Sequence, residues 1–362
     1  MTIHPILKSG TLIHPQTNYA EVRVGTRWRY CTLPPLWAGV PTNSLITLFD
    51  GRSTVEDISA SSGVTETAIE SLVSELRRHD FIDIAKTPIS YLRRYNSELR
   101  RVDDVSNLDE ASKDFAIETA LKRIDMGCEG ATFNPHDSDG GRSALLRRRE
   151  FKILIFGFGK IVNTLVGTLS ASGFSQILVI NRVGIKDASQ KILESDIAGG
   201  YVTRTHFGQL RRTIVEEIRE RSLLFADTRV QFHSPDLIIS IGSPSPDSLQ
   251  RWMADNSPHL LVDIGSRSEV RVGPYVIPGK TPCFRCVQLT ESGDWNFSRA
   301  LDVSSALSLS VAGAIAHDVI SLSDRQTSIY LGTSYIHSNR NYSQPEIQHW
   351  SQHHACGCSW GG

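Results

Sequence analysis

The chain has 362 residues, 40% of them hydrophobic and 21% charged, and its 38 basic against 39 acidic residues leave a net charge of −1. This is the composition of a globular protein long enough for two domains, without the basic surplus of a protein that binds duplex nucleic acid. Since no apolar run reaches the roughly 18 residues of a membrane span, and the N-terminus lacks the layout of a signal peptide, we expect no membrane partner and a cytoplasmic location.

Residues 1–86 are predicted to form a small winged-helix-like module. Polar and apolar residues alternate over 21–24 and again over 27–30, which predicts a hairpin with one buried face. Three helices should follow, the second capped by Ser53 or Thr54. In the third, apolar residues recur at i, i+3, i+4 and i+7, which predicts a single buried stripe: Ile69, Leu72, Val73 and Leu76. A strand over 81–84 should close the module.

Residues 87–149 are predicted to be a connector, charged and weakly periodic as far as 127 and rich in glycine beyond it. It ends in Arg147-Arg148-Arg149. Such a run is typical of a solvated helix end, and we expect all three side chains in solvent.

From 150 to 362 the pattern predicts an open α/β sheet. The apolar run 151–156 ends in a glycine turn, an amphipathic stretch follows, and 176–181 is a second apolar run, which together predict a βαβ unit. Further strands are expected over 236–241 and 259–264. Helices are expected over 205–222 and 304–320.

The glycine turn matches only part of a nucleotide-binding fingerprint. Gly157 and Gly159 allow a tight turn and a close backbone approach, but Val162 stands in place of the third glycine. Asn181-Arg182 stands where an acidic residue would hold a ribose. We therefore do not expect ATP to bind and interpret Gly157, Gly159, Asn181 and Arg182 as a vestigial site. Asp263, after a predicted strand, is either a metal-binding carboxylate or a carboxylate that ends a strand or caps a helix.

Four of the six cysteines lie in two close pairs, Cys283 with Cys286 and Cys356 with Cys358. Four thiolates suit a tetrahedral structural Zn²⁺, so we predict that one zinc ion ties the C-terminal tail to a distant loop. His353 and His354 could replace a ligand, and a free thiol of low pKa at Cys283 or Cys286 could instead be a nucleophile. Cys31 and Cys128 are left as free thiols.

Together these motifs resemble the ubiquitin-activating-like (ThiF/MoeB-type) fold. The most specific part is Val272-Gly-Pro-Tyr-Val-Ile-Pro-Gly-Lys-Thr-Pro-Cys-Phe-Arg-Cys, with the glycine turn before it and Cys-Gly-Cys at the end. More narrowly, the chain resembles the ocin-ThiF-like, leader-peptide-binding proteins of thiazole/oxazole-modified microcin (TOMM) biosynthesis, because its first 86 residues are similar to a PqqD-type recognition element. The expected fold is that winged-helix-like module joined to a Rossmann-like α/β domain with a zinc-stapled C-terminus.

The resemblance implies a scaffold that is not an enzyme on its own. It would bind the leader of a ribosomal precursor peptide and present it to a separate YcaO-type, ATP-dependent partner that forms azolines, and it would be a homodimer. The leader would add as a strand to the small sheet, at an edge formed by about residues 21–30, and would lay apolar side chains against a groove wall on the third helix, within residues 66–78. The implied peptide contacts are Glu21, Val22, Arg23, Val24, Arg27, Trp28, Tyr30, Ile69, Val73 and Arg77.

Other functions stay open. The first alternative is an ATP-dependent adenylating enzyme that activates a peptide or carrier C-terminus, and the second is a nicotinamide-dependent oxidoreductase. DNA binding by the winged helix is disfavoured, because its third helix carries Glu66, Glu70 and Glu75, whereas a helix that faces phosphates is basic.

Overall fold

The computed structural model describes residues 3–7, 11–15, 21–25, 29–85, 142–180, 190–197, 201–224, 230, 233–242, 244–266, 269–291, 303–340 and 344–358. The chain divides into two compact units, Met1–Leu146 and Arg147–Gly362, called here the first and the second unit. The predicted division into 1–86, 87–149 and 150–362 stays a prediction, because most of the connector lies outside the described residues.

Short antiparallel strands and three helices make up the described part of the first unit. The strands are β1 (His4–Leu7), β2 (Leu12–Pro15), β3 (Val22–Gly25), β4 (Tyr30–Leu33), β5 (Leu36–Trp37), β6 (Val40–Pro41) and β7 (Ile82–Ala85). The helices are α1 (Thr42–Ile46), α2 (Val55–Ser62) and α3 (Glu66–Arg78). β2, β3 and β4 form a three-stranded sheet in that order, while β1 pairs with β7 and β5 with β6.

Local sequence signals explain where the helices of the first unit begin and end. Thr54 caps α2 through a reciprocal pair of hydrogen bonds with Asp57, and Gly63 ends the helix with a φ of +71°. The predicted stripe of α3 is confirmed as the buried face of this helix. It packs in one core with the buried valines of β3 and with residues of α1 and α2.

The second unit is a mixed α/β layer structure. Its strands are β8 (Ile153–Phe156), β9 (Ile177–Ile180), β10 (Leu237–Ile241), β11 (His259–Ser266), β12 (Glu269–Val276), β13 (Thr333–Ser338) and β14 (Glu346–His349). Its helices are α5 (Lys160–Ala171), α6 (Arg211–Ser222), α7 (Pro246–Ala254), α8 (Phe284–Thr290) and α9 (Ser305–Ser323), and the division between the units falls within α4 (Arg142–Glu150).

These seven strands form one sheet in the order β14-β13-β12-β11-β10-β8-β9. β11, β10, β8 and β9 run parallel, and β12, β13 and β14 continue the sheet antiparallel. The parallel strands are apolar because helices cover the sheet, and α5, α6 and α9 contribute buried residues to its main core. The predicted α/β class and the predicted βαβ unit, β8-α5-β9, are confirmed.

The arginine run at the start of the second unit is not a solvated helix end. The side chain of Arg148 is 2% exposed, and its Nη2 lies 2.6 Å from Oδ2 of Asp324, which is fully buried. Arg147 donates from Nε to the carbonyl oxygen of Ser323 at 3.2 Å. The expectation of a solvated run is therefore wrong, because the carboxylate that pairs with Arg148 comes from a position 176 residues away.

One helix in the described part of the chain, Ser305–Ser323, is long and apolar enough to cross a membrane, although the sequence pattern predicted none. Half of the residues in its 18-residue apolar stretch are buried inside the protein. Core helices meet the same criterion, and Val311, Ile315 and Val319 of this helix lie in the main core of the second unit.

Candidate functional site

The sheet of the second unit has a topological switch point between β8 and β10. From β8 the chain crosses through α5 to β9 on one side, whereas β10 lies on the other side. In open α/β sheets ligands bind outside the carboxyl ends of the strands at such a point. We call this place the switch-point crevice and define it by Gly157, Gly159 and the end of β10.

Glycine is required on both sides of the turn that forms the crevice. Gly157 has a φ of +121°, and a Cβ there would lie 2.9 Å from the carbonyl oxygen of Ile241. Gly159 has a φ of +123°, yet a Cβ there would meet no atom within 4 Å. Gly157 therefore lets two strands approach, whereas Gly159 borders open space.

Helix α5 starts directly at this open space. Gly159 is its N-cap and supplies no side chain to the first-turn N–H groups. Those N–H groups and the helix dipole favour a phosphate. Val162, at the third position of the fingerprint, is fully buried in the core, so its β-branched side chain does not occupy the crevice.

Lys160 brings a positive charge to the same turn. It is the first residue of α5, and its ammonium donates to the carbonyl oxygen of Val303 at 3.0 Å. Sequence reasoning did not single it out, because the fingerprint is recognised by its glycines and its acidic residue and not by this position. Asn181 and Arg182, the other predicted members of this site, lie outside the described residues.

A cleft opens beside the crevice, and we call it the Arg271 cleft. Its lining is Gly242, Pro244, Leu261, Val262, Asp263, Arg271, Gly273, Pro274, Phe284 and Val287. Asp263 and Arg271 are direct partners across β11 and β12. Mostly apolar walls with one charged pair are typical of a ligand site.

The charged pair continues to a third residue. Nη2 of Arg271 lies 3.4 Å from Oδ2 of Asp263, and its Nη1 lies 3.1 Å from Oε1 of Glu291. Burial raises the pKa of Asp263, and Arg271 partly offsets this effect. Burial lowers the pKa of Arg271, while Glu291 and Asp263 act to raise it. Asp263 is therefore an ion-pair partner rather than a cap. Arg271 was missed because only strand pairing brings it beside Asp263, and Glu291 because it reaches Arg271 from the end of a helix.

The four predicted zinc ligands meet at one point. The Sγ atoms of Cys283, Cys286, Cys356 and Cys358 all lie within 4.8 Å of one another. The Sγ–Sγ distances are 3.9 Å for Cys283 to Cys286, 3.4 Å for Cys283 to Cys356 and 3.4 Å for Cys286 to Cys358. Sulfurs about 2.3 Å from a tetrahedral Zn²⁺ lie about 3.8 Å apart, so this donor set fits a metal ion.

The surroundings of the thiols influence their charge. Burial raises the pKa of Cys283, and burial raises that of Cys358 to about 11. The pKa of Cys286 is lowered, because burial is outweighed by N–H donors, among them the amide of His353 at 3.3 Å from Sγ. Among the described residues, Val276 and Met253 pack against the thiols and make their surroundings apolar. Bound metal would supply the positive charge that keeps all four as thiolates.

The predicted peptide contacts of the first unit are only partly available at its surface. β3 is bonded to β2 on one side and to β4 on the other, so the expected edge over 21–30 is wrong for β3. Glu21 and Arg23 are exposed, whereas Val22 and Val24 are buried. In β4, Tyr30 is 48% exposed, and the guanidinium of Arg23 lies 4.7 Å from the centre of its ring.

The predicted groove wall on α3 is also corrected. Ile69 and Val73 are 0% and 3% exposed, because they fill the core of the first unit and leave no apolar surface for a peptide. Arg77, near the end of the same helix, is exposed. Arg27, Trp28 and Cys128 lie outside the described residues, while Cys31 is a buried free thiol.

Comparison with known proteins gives no match to any family model and none to any curated sequence. Among solved structures, Escherichia coli MccB with MccA-N7isoASN matches with a TM-score of 0.64 at 14% identity, over 99% of each chain. MccB with ATP matches with a TM-score of 0.61 at 13% identity, over 99% of this chain and 100% of that one. PaaA matches with a TM-score of 0.57 at 15% identity, over 96% of this chain and 100% of that one.

The chain has the fold of MccB. The predicted ThiF/MoeB-like fold is confirmed at this level. MccB is described as a microcin C7 biosynthetic enzyme and is seen with ATP and with N-formylated MccA. The prediction of a non-catalytic scaffold is therefore wrong, and the alternative of an adenylating enzyme agrees better with these findings. The expectation that ATP does not bind loses its support as well.

Proposed function

We propose that the chain is an ATP-dependent adenylating enzyme that activates the C-terminal carboxylate of a peptide. The observation that carries this proposal is the likeness to MccB over 99% of each chain, in structures that hold ATP, AMPCPP or MccA. MccA occurs there N-formylated or with an isoasparagine at position 7, which are forms of a peptide.

The switch-point crevice supports the nucleotide part of this proposal. Gly159 leaves room beside the first turn of α5, where unbonded N–H groups and the positive end of the helix dipole would hold phosphate oxygens. Lys160 adds a cation at the same turn. These features do not depend on the third glycine, since Val162 is buried in the core instead.

The reaction would be one substitution at phosphorus. A carboxylate oxygen of the peptide attacks the α-phosphorus of ATP, the bond from that phosphorus to the bridging oxygen breaks, and pyrophosphate leaves with the electron pair. The product is an acyl-adenylate, a mixed anhydride that water hydrolyses. The apolar walls of the Arg271 cleft, beside the crevice, would exclude water from the activated carbonyl.

Finer features of the proposal follow the family resemblance. We propose that the first unit recognises the peptide, that the four cysteines hold a structural Zn²⁺, and that the chain self-associates in the cytoplasm. The YcaO-type partner belonged to the scaffold interpretation and is not proposed. No observation in the described residues favours a nicotinamide-dependent reaction.

Gly159→Ala tests the nucleotide site. A methyl group at a φ of +123° strains the backbone and projects into the space beside the first turn of α5, so the exchange of labelled pyrophosphate into ATP should fall by about 100-fold. Gly208→Ala is the matched control, since Gly208 also has a positive φ, +80°, and an open surrounding. Its exchange rate should stay within about threefold of wild type.

Equal exchange rates for the Gly159 and Gly208 variants would refute the assignment of the crevice as the nucleotide site. If the wild-type chain binds MgATP but shows no peptide-dependent exchange of pyrophosphate, the adenylating function itself is refuted.

A further inference from the structure

Helix α8 belongs both to the four-cysteine centre and to the Arg271 cleft. Cys283 is its N-cap, and Cys286 lies in its first turn. Phe284 and Val287, each one residue further along, line the cleft. Because an α-helix turns by about 100° per residue, the two pairs lie on different faces of one helix.

The far end of α8 is tied to the charged pair of the cleft. Glu291, its C-cap, lies 3.1 Å from Nη1 of Arg271. Arg271 in turn contacts Asp263 on the neighbouring strand. A rotation or shift of α8 would therefore move two apolar walls and one carboxylate of the same site together.

A helix of this length depends on its attachments. α8 has 7 residues, fewer than an isolated helix needs to be stable in water. On its cysteine face, two of the four sulfurs come from the C-terminal tail, Cys356 and Cys358, and the amide of His353 donates to Cys286. The tail thus reaches α8, and none of its residues 353–358 belongs to the described lining of the cleft.

We infer that metal in the four-cysteine centre fixes the position of α8, and that the tail 353–358 thereby controls how the Arg271 cleft holds the end of the peptide substrate. This inference rests on the proposed function. It makes Cys356 and Cys358 positioning residues for the substrate, in addition to any part that they have in stability.

The experiment compares the full-length wild type with Cys358→Ser, which removes one tail ligand outside the cleft. The matched control is Cys31→Ser, a buried free cysteine of the first unit. Bound zinc is counted by elemental mass spectrometry. Amide hydrogen exchange is followed over 284–291 and, as an internal reference, over α5, which also reports whether the second unit is folded.

For Cys358→Ser we expect loss of zinc and faster exchange over 284–291 by about tenfold, with α5 unchanged. With the best substrate from a panel of synthetic peptides, the KM for peptide should rise by about tenfold while the KM for ATP stays within about twofold. Cys31→Ser should keep its zinc and both constants. Treatment of the wild type with a chelator should raise the exchange over 284–291 and the KM for peptide in the same way, and added zinc should restore both.

Unchanged exchange over 284–291 after loss of zinc overturns the inference, and so does an equal rise in exchange over α5, which would mean general unfolding. A rise in both KM values overturns it as well. If no peptide supports catalysis, the proposed function fails, but the exchange rates over 284–291 and α5 still decide whether metal positions the helix.

Discussion

At the scale of single residues, the second unit buries ionisable groups that respond to pH. His259 is fully buried at the start of β11, with Nδ1 2.9 Å from the carbonyl oxygen of Ser257, and its ring centre is 5.4 Å from that of Trp252. Burial lowers the pKa of His259 to about 4. Burial also lowers the pKa of His337.

This burial predicts an acid-sensitive second unit. The unfolded chain takes up a proton on His259 below its ordinary pKa of 6.5, whereas the folded protein does not until about pH 4. Stability is therefore complete above pH 6.5 and decreases as the pH falls, by about 2 kcal/mol between pH 7 and pH 5 from this residue. Urea unfolding at each pH, followed by tryptophan fluorescence, measures this loss of stability.

His259→Gln provides the comparison, because it removes the titration. The readout is the difference in the free energy of unfolding between pH 7 and pH 5, not the absolute stability. This difference should be smaller in the variant than in wild type by about 2 kcal/mol. An identical pH dependence of the two proteins would contradict the assignment of His259 as a neutral, buried group.

Single residues also show how far the sequence determined the site. The four cysteines were predictable, because thiol pairs carry their chemistry in their spacing. Arg148 was not, because its carboxylate partner is Asp324, and nothing local distinguishes a buried arginine from a solvated one. Val162 suggested a damaged turn, but whether a side chain enters a crevice or a core depends on the packing of α5.

At the scale of elements, the edge strands of the first unit decide where a peptide can add. β2 and β4 are the two edges of the three-stranded sheet, and among the described strands each is bonded only to β3. Tyr30 and Thr32 of β4 are exposed, whereas Cys31 and Leu33 face the core. β4 therefore replaces β3 as the predicted acceptor of an added strand.

A peptide that adds to β4 should slow amide exchange over 30–33 and leave β2 unchanged. Tyr30→Ala should weaken peptide binding by about fivefold, because an aromatic side chain at the edge covers an added strand. Leu36→Ala is a matched control, since Leu36 is 55% exposed on a different hairpin, and it should bind within about twofold of wild type. Protection of β2 in place of β4, or equal losses in both variants, would contradict this location.

Periodicity predicted most elements of both units, but not their partners. The stripe of α3 was found correctly, yet its assignment to a peptide groove was wrong, because Ile69 and Val73 fill the unit's own core. β1 was missed, since His4-Pro-Ile-Leu does not alternate and becomes a strand through its pairing with β7. An amphipathic pattern shows that a face is buried, but it does not show what buries it.

At the scale of the whole molecule, the count of lost motif residues is a poor guide to whether a phosphate site remains. Two departures from a fingerprint suggested a scaffold, but a phosphate site needs open space and N–H groups at a helix start, and both are present beside Gly159. The likeness of fold to MccB extends over 99% of each chain, so it is a likeness of both units and not of the glycine turn alone.

The most direct test of an adenylating function is exchange of labelled pyrophosphate into ATP by the full-length chain, with each peptide of a panel supplied both as a free C-terminal acid and as the C-terminal amide. Only a free carboxylate can attack phosphorus, so we predict exchange with at least one acid and none with the corresponding amide. Exchange that is equal for acid and amide, or absent with every acid, would contradict the account.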